Sequence, residues 1–200
     1  MKNLLCIVNP VSGLKRSLKV FNEVKDRLKT TNTKLELFIS KHPNHTKDYS
    51  SKINKDEFDK IIIFGGDGTL NEVVNGLNSS NNLGNFKLGI IPTGSGNSVA
   101  HDIGSLKLDI AIKKCLGEKV IKMDVNQVNF DSFTRLSVSV LGWGMFSFGN
   151  IRAEKLRFLG PIRYDIASIV TLLEKKIHKA EMVVDGVKKT LECAFIVGCN

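Results

Sequence analysis

The four cysteines of this 200-residue chain, Cys6, Cys115, Cys193 and Cys199, form no C-x-x-C pair and have no histidines at zinc-ligand spacing around them. A disulfide scaffold and a zinc module are therefore excluded, and the thiols read as small apolar fillers in a reducing compartment. Long hydrophobic runs are missing as well. The apolar residues near the start, 4–8, are too few for a signal-peptide core, and no run approaches the length of a membrane span. The expectation is a cytoplasmic protein whose membrane contact is peripheral. No basic run interleaved with aromatics and no recognisable nucleic-acid module occurs, so nucleic acid is not an expected partner. The net charge of +9 instead favours nucleotide phosphates or an acidic membrane surface.

What is present is concentrated in residues 61–77, IIIFGGDGTLNEVVNGL. Ile61, Ile62, Ile63 and Phe64 form the short continuous apolar run of a strand covered on both faces. Gly65, Gly66 and Gly68 let the backbone turn and approach a ligand with no Cβ in the way. The next helix then presents its free amides and the positive end of its dipole to the loop. Strand, glycine turn and helix together make a phosphate site. Asp67 is the exception within it, because a carboxylate repels bare phosphate. It suits either a metal ion or a proton taken from a hydroxyl that attacks phosphorus.

The hydrophobic content of 42% is enough to bury a core over this length. Residues 4–8 read as a first buried strand and 9–13 as its turn; Leu18, Phe21, Val24 and Leu28 mark an amphipathic helix over 15–29. Alternation at Leu35, Leu37 and Ile39 gives a second strand, residues 45–53 a weaker helix, and residues 88–91 a fourth strand leading to the small-residue turn Thr93-Gly94-Ser95-Gly96-Asn97. Strands alternating with helices predict an α/β fold with an open parallel sheet over residues 1–118, ligands lying beyond the carboxyl ends of the strands. Three turns, 9–13, 65–69 and 93–97, are then expected to converge. From about 119 the pattern predicts a β-rich lobe, 119–200. Its parts are strands over 120–130 and 133–141, a basic connector over 150–160, a helix over 164–176 and a hairpin around Asp185-Gly186. The apolar run at the end still reads as strand, so this lobe is expected to be partial.

Three motifs in order, NPVSG, GGDGTLNEVVNGL and IPTGSGNSVA, resemble those of the lipid kinases with a diacylglycerol kinase-type catalytic domain. Residues 141–168 are most similar to sphingosine and ceramide kinases. The G-G-D-G core is shared with phosphofructokinases and NAD kinases. The resemblance implies a two-lobed fold and an ATP-dependent kinase, with Mg²⁺, that phosphorylates a primary hydroxyl of a sphingoid-type lipid. Diacylglycerol or ceramide kinase activity, and a catalytically incomplete nucleotide- or lipid-binding fragment, are the alternatives. It assigns Asp67 to catalysis, Asn9, Ser12, Gly65, Gly66, Gly68, Thr69 and Ser95 to the nucleotide, and Arg157 and Arg163 to the ATP phosphates. Without it, Glu154, Arg157 and Arg163 read as surface ion pairs. His45, in a segment similar to a nucleotide-side loop, and Glu72 are weaker candidates. Acceptor-site carboxylates of sphingosine kinases correspond to Phe148 and Asn150 here, and neither supplies a counter-charge for an ammonium group. The aromatic residues around 143–148 fit a lipid pocket or a core. A late D-G-E motif of the family has no counterpart in these residues. Basic residues including Lys155, Lys175 and Lys176 would face an acidic bilayer.

Overall fold

A computed structural model describes residues 2–29, 33–174 and 176–199; Lys175 and the side chains of Phe146, Arg157 and Pro161 lie outside the described set. The chain divides into two compact units, Met1–Ser139 and Val140–Asn200.

The first unit alternates strand and helix: β1 (Lys2–Val8), α1 (Ser17–Leu28), β2 (Thr33–Ile39), α2 (His45–Ser50), β3 (Lys60–Gly65), α3 (Asp67–Ser79), β4 (Lys87–Pro92), α4 (Ser98–Asp102) and α5 (Leu108–Leu116). The four strands form one parallel sheet in the order β2-β1-β3-β4. Because side chains alternate across a strand, β1 feeds two cores. Leu5 and Ile7 join Ile61 and Ile63 beneath Leu70, Val73, Val74 and Leu77 of α3. Leu4, Cys6 and Val8 join Ile62 and Phe64 on the opposite face, against Phe21, Val24 and Leu28 of α1 and Ala111 and Cys115 of α5. Phe21 meets Phe64 edge to face at 5.4 Å. Full burial of a side chain such as Phe64 contributes about 1.5–3 kcal/mol, which explains why β3 carries no polar residue between its ends. Lys60, at the start of β3, is buried yet satisfied: its ammonium donates to the carbonyls of Cys115 and Gly117, closing the C-terminus of α5.

Two further strands, β5 (Asn126–Asn129) and β6 (Thr134–Ser137), pair antiparallel within the same unit. They are shorter than the expected 120–130 and 133–141, and they group with the parallel sheet although the sequence pattern placed the lobe boundary at 118/119. The reason is local. The amide of Asn75 both donates to the Leu136 carbonyl and accepts the Leu136 N–H, each at 2.9 Å, and Asn71 Oδ1 accepts the Val138 N–H at 3.3 Å. Helix α3 thus satisfies the free edge of β6 with side chains, and Leu136 and Val138 enter its core.

The second unit contains β7 (Leu141–Gly144), α6 (Met145–Lys155), a 3₁₀ segment (Arg157–Ile162), α7 (Arg163–Leu173), β8 (His178–Val184), β9 (Val187–Cys193) and β10 (Phe195–Gly198). β7 pairs antiparallel with β10, and β8 with β9 around Asp185-Gly186, both at positive φ as the expected tight hairpin requires. The expected connector over 150–160 is instead mostly helix α6. Helix α6 packs against α7, and Ala153 and Ala167 are buried on the two helices.

Candidate functional site

In a sheet of order 2-1-3-4 the chain leaves β1 toward one edge and returns at β3 toward the other. A crevice opens where the two carboxyl ends diverge, and open α/β sheets bind ligands there. The turns after β1 and β3 flank it.

The first turn is held by Asn9. Its backbone amide donates to the Phe64 carbonyl at 3.1 Å, its Oδ1 accepts the Val11 amide at 3.2 Å, and its Nδ2 donates to Thr69 Oγ1 at 3.0 Å. One side chain therefore shapes its own turn and bridges to the second. The Ser12 amide donates back to the Asn9 carbonyl at 3.1 Å, and Ser12 is buried. Gly13 has φ +50°, and a Cβ there would collide with the Thr93 carbonyl oxygen of the third turn.

The second and third turns touch through glycines. A Cβ on Gly66 would come to 3.0 Å from Gly94 Cα, and a Cβ on Gly65 would enter the Thr69 side chain. Thr93 donates its amide to the Gly65 carbonyl at 3.0 Å, and its hydroxyl meets Ser17 Oγ at 2.8 Å in a buried pair. Asn97, left-handed at φ 57°, closes the third turn by accepting the Gly94 amide at 2.9 Å and donating to the Gly94 carbonyl at 2.8 Å. Residues 9–13, 65–69 and 93–97 thus converge as expected.

Asp67 lies where these turns meet, half-buried, as the first residue of α3. Its carboxylate spans the second and third turns: Oδ2 accepts the Ser98 amide at 3.0 Å and Oδ1 the Val99 amide at 3.1 Å, so it caps α4. An ionised carboxylate has about four acceptor sites, so two engaged amides leave capacity for a hydroxyl proton or a metal ion. The opening amides of α3 have no intrahelical acceptor, and its dipole favours an anion beside them. Gly68 is exposed and a Cβ there would meet nothing within 4 Å, so the protein's own packing does not demand a glycine. Ser95 is exposed on the third turn.

Thr93, Asn97 and Ser17, which the sequence pattern did not single out, hold the third turn. An asparagine closing a glycine-rich turn was the available signal for Asn97, since Asn tolerates the left-handed region. Glu72 accepts the Asn44 amide at 3.2 Å and so ties the loop before α2 to α3. Gly76 lets α2 approach α3, where a Cβ would enter the Lys47 carbonyl. Together with Asn71 and Asn75, these contacts account for the NEVVNGL motif as wiring around the helix that begins at Asp67.

The other assigned residues belong to the second unit. Arg163 is buried; its guanidinium donates to Tyr164 Oη at 2.7 Å, lies 3.5 Å from Glu154, and leaves Nε without a partner among the described residues. Phe148 stacks on His178 at 5.9 Å, and Lys176 Nζ sits 5.6 Å from the Phe148 ring centre. Asn150 is exposed on α6. Among the described residues no three metal-ligating side chains cluster. The donor set nevertheless fits Mg²⁺, which commonly takes one or two carboxylates together with phosphate oxygens and water.

A parallel sheet whose glycine turns crowd a helix N-terminus at the switch point is an arrangement suited to phosphate. Residues 3–128 match the diacylglycerol kinase catalytic domain, and the chain belongs to that family. It is 30% identical over 181 residues to sphingosine kinase 1 of Arabidopsis thaliana, which covers 86% of this chain and 37% of that protein. It is 27% identical over 199 residues to ceramide kinase of Mus musculus, covering 90% and 38% respectively. The crystal structure of a diacylglycerol kinase from Bacillus anthracis superposes with a TM-score of 0.71 at 25% identity, covering 98% of this chain and 63% of that one. The chain therefore spans less than two thirds of each of these relatives. No helix among the described residues is long and apolar enough to cross a membrane.

Proposed function

We propose that this protein is an ATP-dependent lipid kinase that transfers the γ-phosphate to a primary hydroxyl of a sphingoid-type lipid. The observation that carries the reading is Asp67, the single acidic side chain in three turns that otherwise offer glycines, amides and hydroxyls. Asn9, Ser12, Gly65, Gly66, Gly68, Thr69 and Ser95 surround the phosphates. Asp67 accepts the proton of the lipid hydroxyl as its oxygen bonds to the γ-phosphorus. The bridging bond to the β-phosphate breaks, and its electron pair leaves on ADP. A bound Mg²⁺ would neutralise charge on the phosphate oxygens, with Asp67 the carboxylate within the turns. The family resemblance assigns Arg157 and Arg163 to phosphate oxygens, a role that the forked donors of a guanidinium suit. Lys155 and Lys176 favour peripheral contact with an acidic bilayer.

A neutral acceptor, diacylglycerol or ceramide, is the second reading. The Lys176 ammonium over the Phe148 ring favours it, because a cation beside Phe148 opposes the ammonium of a sphingoid base. Phosphate transfer from labelled ATP to vesicles carrying sphingosine, ceramide or diacylglycerol decides between them. Labelled sphingosine phosphate supports the first reading, and transfer confined to the neutral lipids supports the second. ATP binding with no transfer to any of the three leaves a nucleotide-binding protein and rejects both.

A further inference from the structure

The hairpin of β5 and β6 grades from an apolar base through a polar shaft to an apolar tip. At the base, Leu136 and Val138 are buried in the α3 core, and the side chains of Asn71 and Asn75 hold their backbone. Along the shaft, Asn129 Oδ1 accepts from Gln127 Nε2 at 3.1 Å and from the Thr134 hydroxyl at 2.9 Å. At the tip, Phe130 and Phe133 stack with ring centres 4.4 Å apart and planes 22° from parallel, and the Phe130 amide donates to the Phe133 carbonyl at 2.8 Å. Their mutual contact still leaves them 52% and 54% exposed. The hairpin has an anchor on α3 that is independent of this pair, and Asp131 and Ser132 between the rings are exposed as well.

The kind of partner follows from how little surface the tip offers. A phenylalanine buries about 150–250 Å² when fully covered, so two half-exposed rings present roughly 200 Å², against the roughly 800 Å² that each side of a stable protein interface buries. A protein partner, or a second copy of this chain, would need further apolar surface that the polar shaft does not supply. A bilayer needs no matching surface, because affinity for it grows with the apolar area inserted. The rings already hold each other in place, so insertion costs little side-chain freedom. Residues 126–137 carry one acid, Asp131, and one base, Arg135. These oppose each other, so apolar area governs the contact at the tip, while the net charge of +9 on the chain draws it toward an acidic surface.

We infer that the Phe130–Phe133 tip inserts into the interfacial layer of a lipid bilayer and brings the enzyme to an acceptor held there, the delivery resting on the lipid kinase reading. The test is sedimentation of the chain with vesicles of phosphatidylcholine and phosphatidylserine, without nucleotide or acceptor. It compares the wild type with Phe130→Ser/Phe133→Ser and Phe130→Leu/Phe133→Leu, each checked by thermal melting. The serine pair should lower the vesicle partition coefficient roughly tenfold or more, the scale of withdrawing two half-exposed rings from lipid. The leucine pair, which keeps apolar area without the stack, should retain most of the binding. Added salt should weaken the wild type and the serine pair by the same factor, because what the rings contribute is uncharged. Wild-type partition in the serine pair overturns the inference, and so does a loss in the leucine pair as large as in the serine pair. A lipid-free dimer of the wild type that the serine pair dissociates overturns it as well and assigns the tip to a second copy. Phosphate transfer to a short-chain, water-soluble acceptor tests the kinase reading separately. The serine pair should keep that transfer and lose transfer to the same headgroup in vesicles. No transfer to the soluble acceptor by the wild type removes the delivery role, while vesicle partition still decides insertion.

Discussion

Asp67 and Ser98 are joined across thirty residues of chain by a 3.0 Å hydrogen bond from the Ser98 amide to Asp67 Oδ2. The carboxylate assigned to proton transfer is thus also the cap of the helix that follows the third turn. Its neighbour Val99 supplies the second amide.

This double duty shapes the outcome of Asp67→Asn. The introduced NH₂ would face one of two backbone N–H donors, so the variant loses the base and one capping bond at once. Turnover should fall about 10²–10⁴-fold, the range for a general base, and stability by about 1 kcal/mol, the cost of a lost cap. Turnover and urea denaturation check the two effects separately. Unaltered turnover would remove Asp67 from the chemistry.

The glycines of the turns should separate by what their missing side chains would meet. Gly94→Ala would drive a Cβ into Gly66 Cα and force the second and third turns apart. Lower stability and weaker ATP binding should follow together. Gly68→Ala has open space around it and lies within α3, where alanine is favoured over glycine by about 1 kcal/mol. Thermal melting should show no loss for Gly68→Ala. Reduced ATP affinity in that stable variant would show that a ligand needs the space.

Asn75→Ala removes both bonds to Leu136 and leaves a buried N–H and C=O unpaired. A destabilisation of about 2–3 kcal/mol is expected. Amide exchange should speed at Leu136 and Val138 while the strand residues Ile61 and Ile63 stay protected. Exchange at Leu136 matching the wild type would show that the hairpin holds without α3.

The thiols supply a pH test. Burial, with a smaller contribution from Cys115, pushes Cys6 from the ordinary 9.0 up to about 12, and burial pushes Cys115 to about 11. Both therefore keep their protons when folded at a pH where the unfolded chain has lost them. The resulting stability is complete below pH 9 and is lost as the pH rises toward 11–12, by up to about 1.4 kcal/mol per unit for each thiol. Urea midpoints should decline through this window, and less steeply in Cys6→Ala. A thiol reagent at neutral pH should modify exposed Cys199 first and leave Cys6 and Cys115 unmodified until unfolding.

Much of the first unit was legible because its signals are local. An uninterrupted apolar run as short as 61–64, ended by glycines, fits a strand buried on both faces, and glycines before an amphipathic run mark the turn into a helix. The second unit was less so. Residues 150–155 read as connector, yet they continue α6, which packs against α7 through the buried Ala153 and Ala167. Residues 126–137 show strand alternation, but which elements they accompany depends on Asn75, a polar residue whose partner is 61 positions away.

The amino-acid order alone determined that a parallel sheet would form, that three small-residue turns would follow its strands, and that one acid would stand among them. Hydrophobic period and glycine placement are properties of short stretches and survive being read one residue at a time. Tertiary structure decided how those turns are used. Asp67 reaches the amides of α4, Asn9 reaches Thr69, Asn75 holds β6, and Phe130 stacks on Phe133. Each of these relationships is a directional contact at hydrogen-bond or ring-stacking range. It exists only once packing has brought remote segments, or a shaped loop, into position.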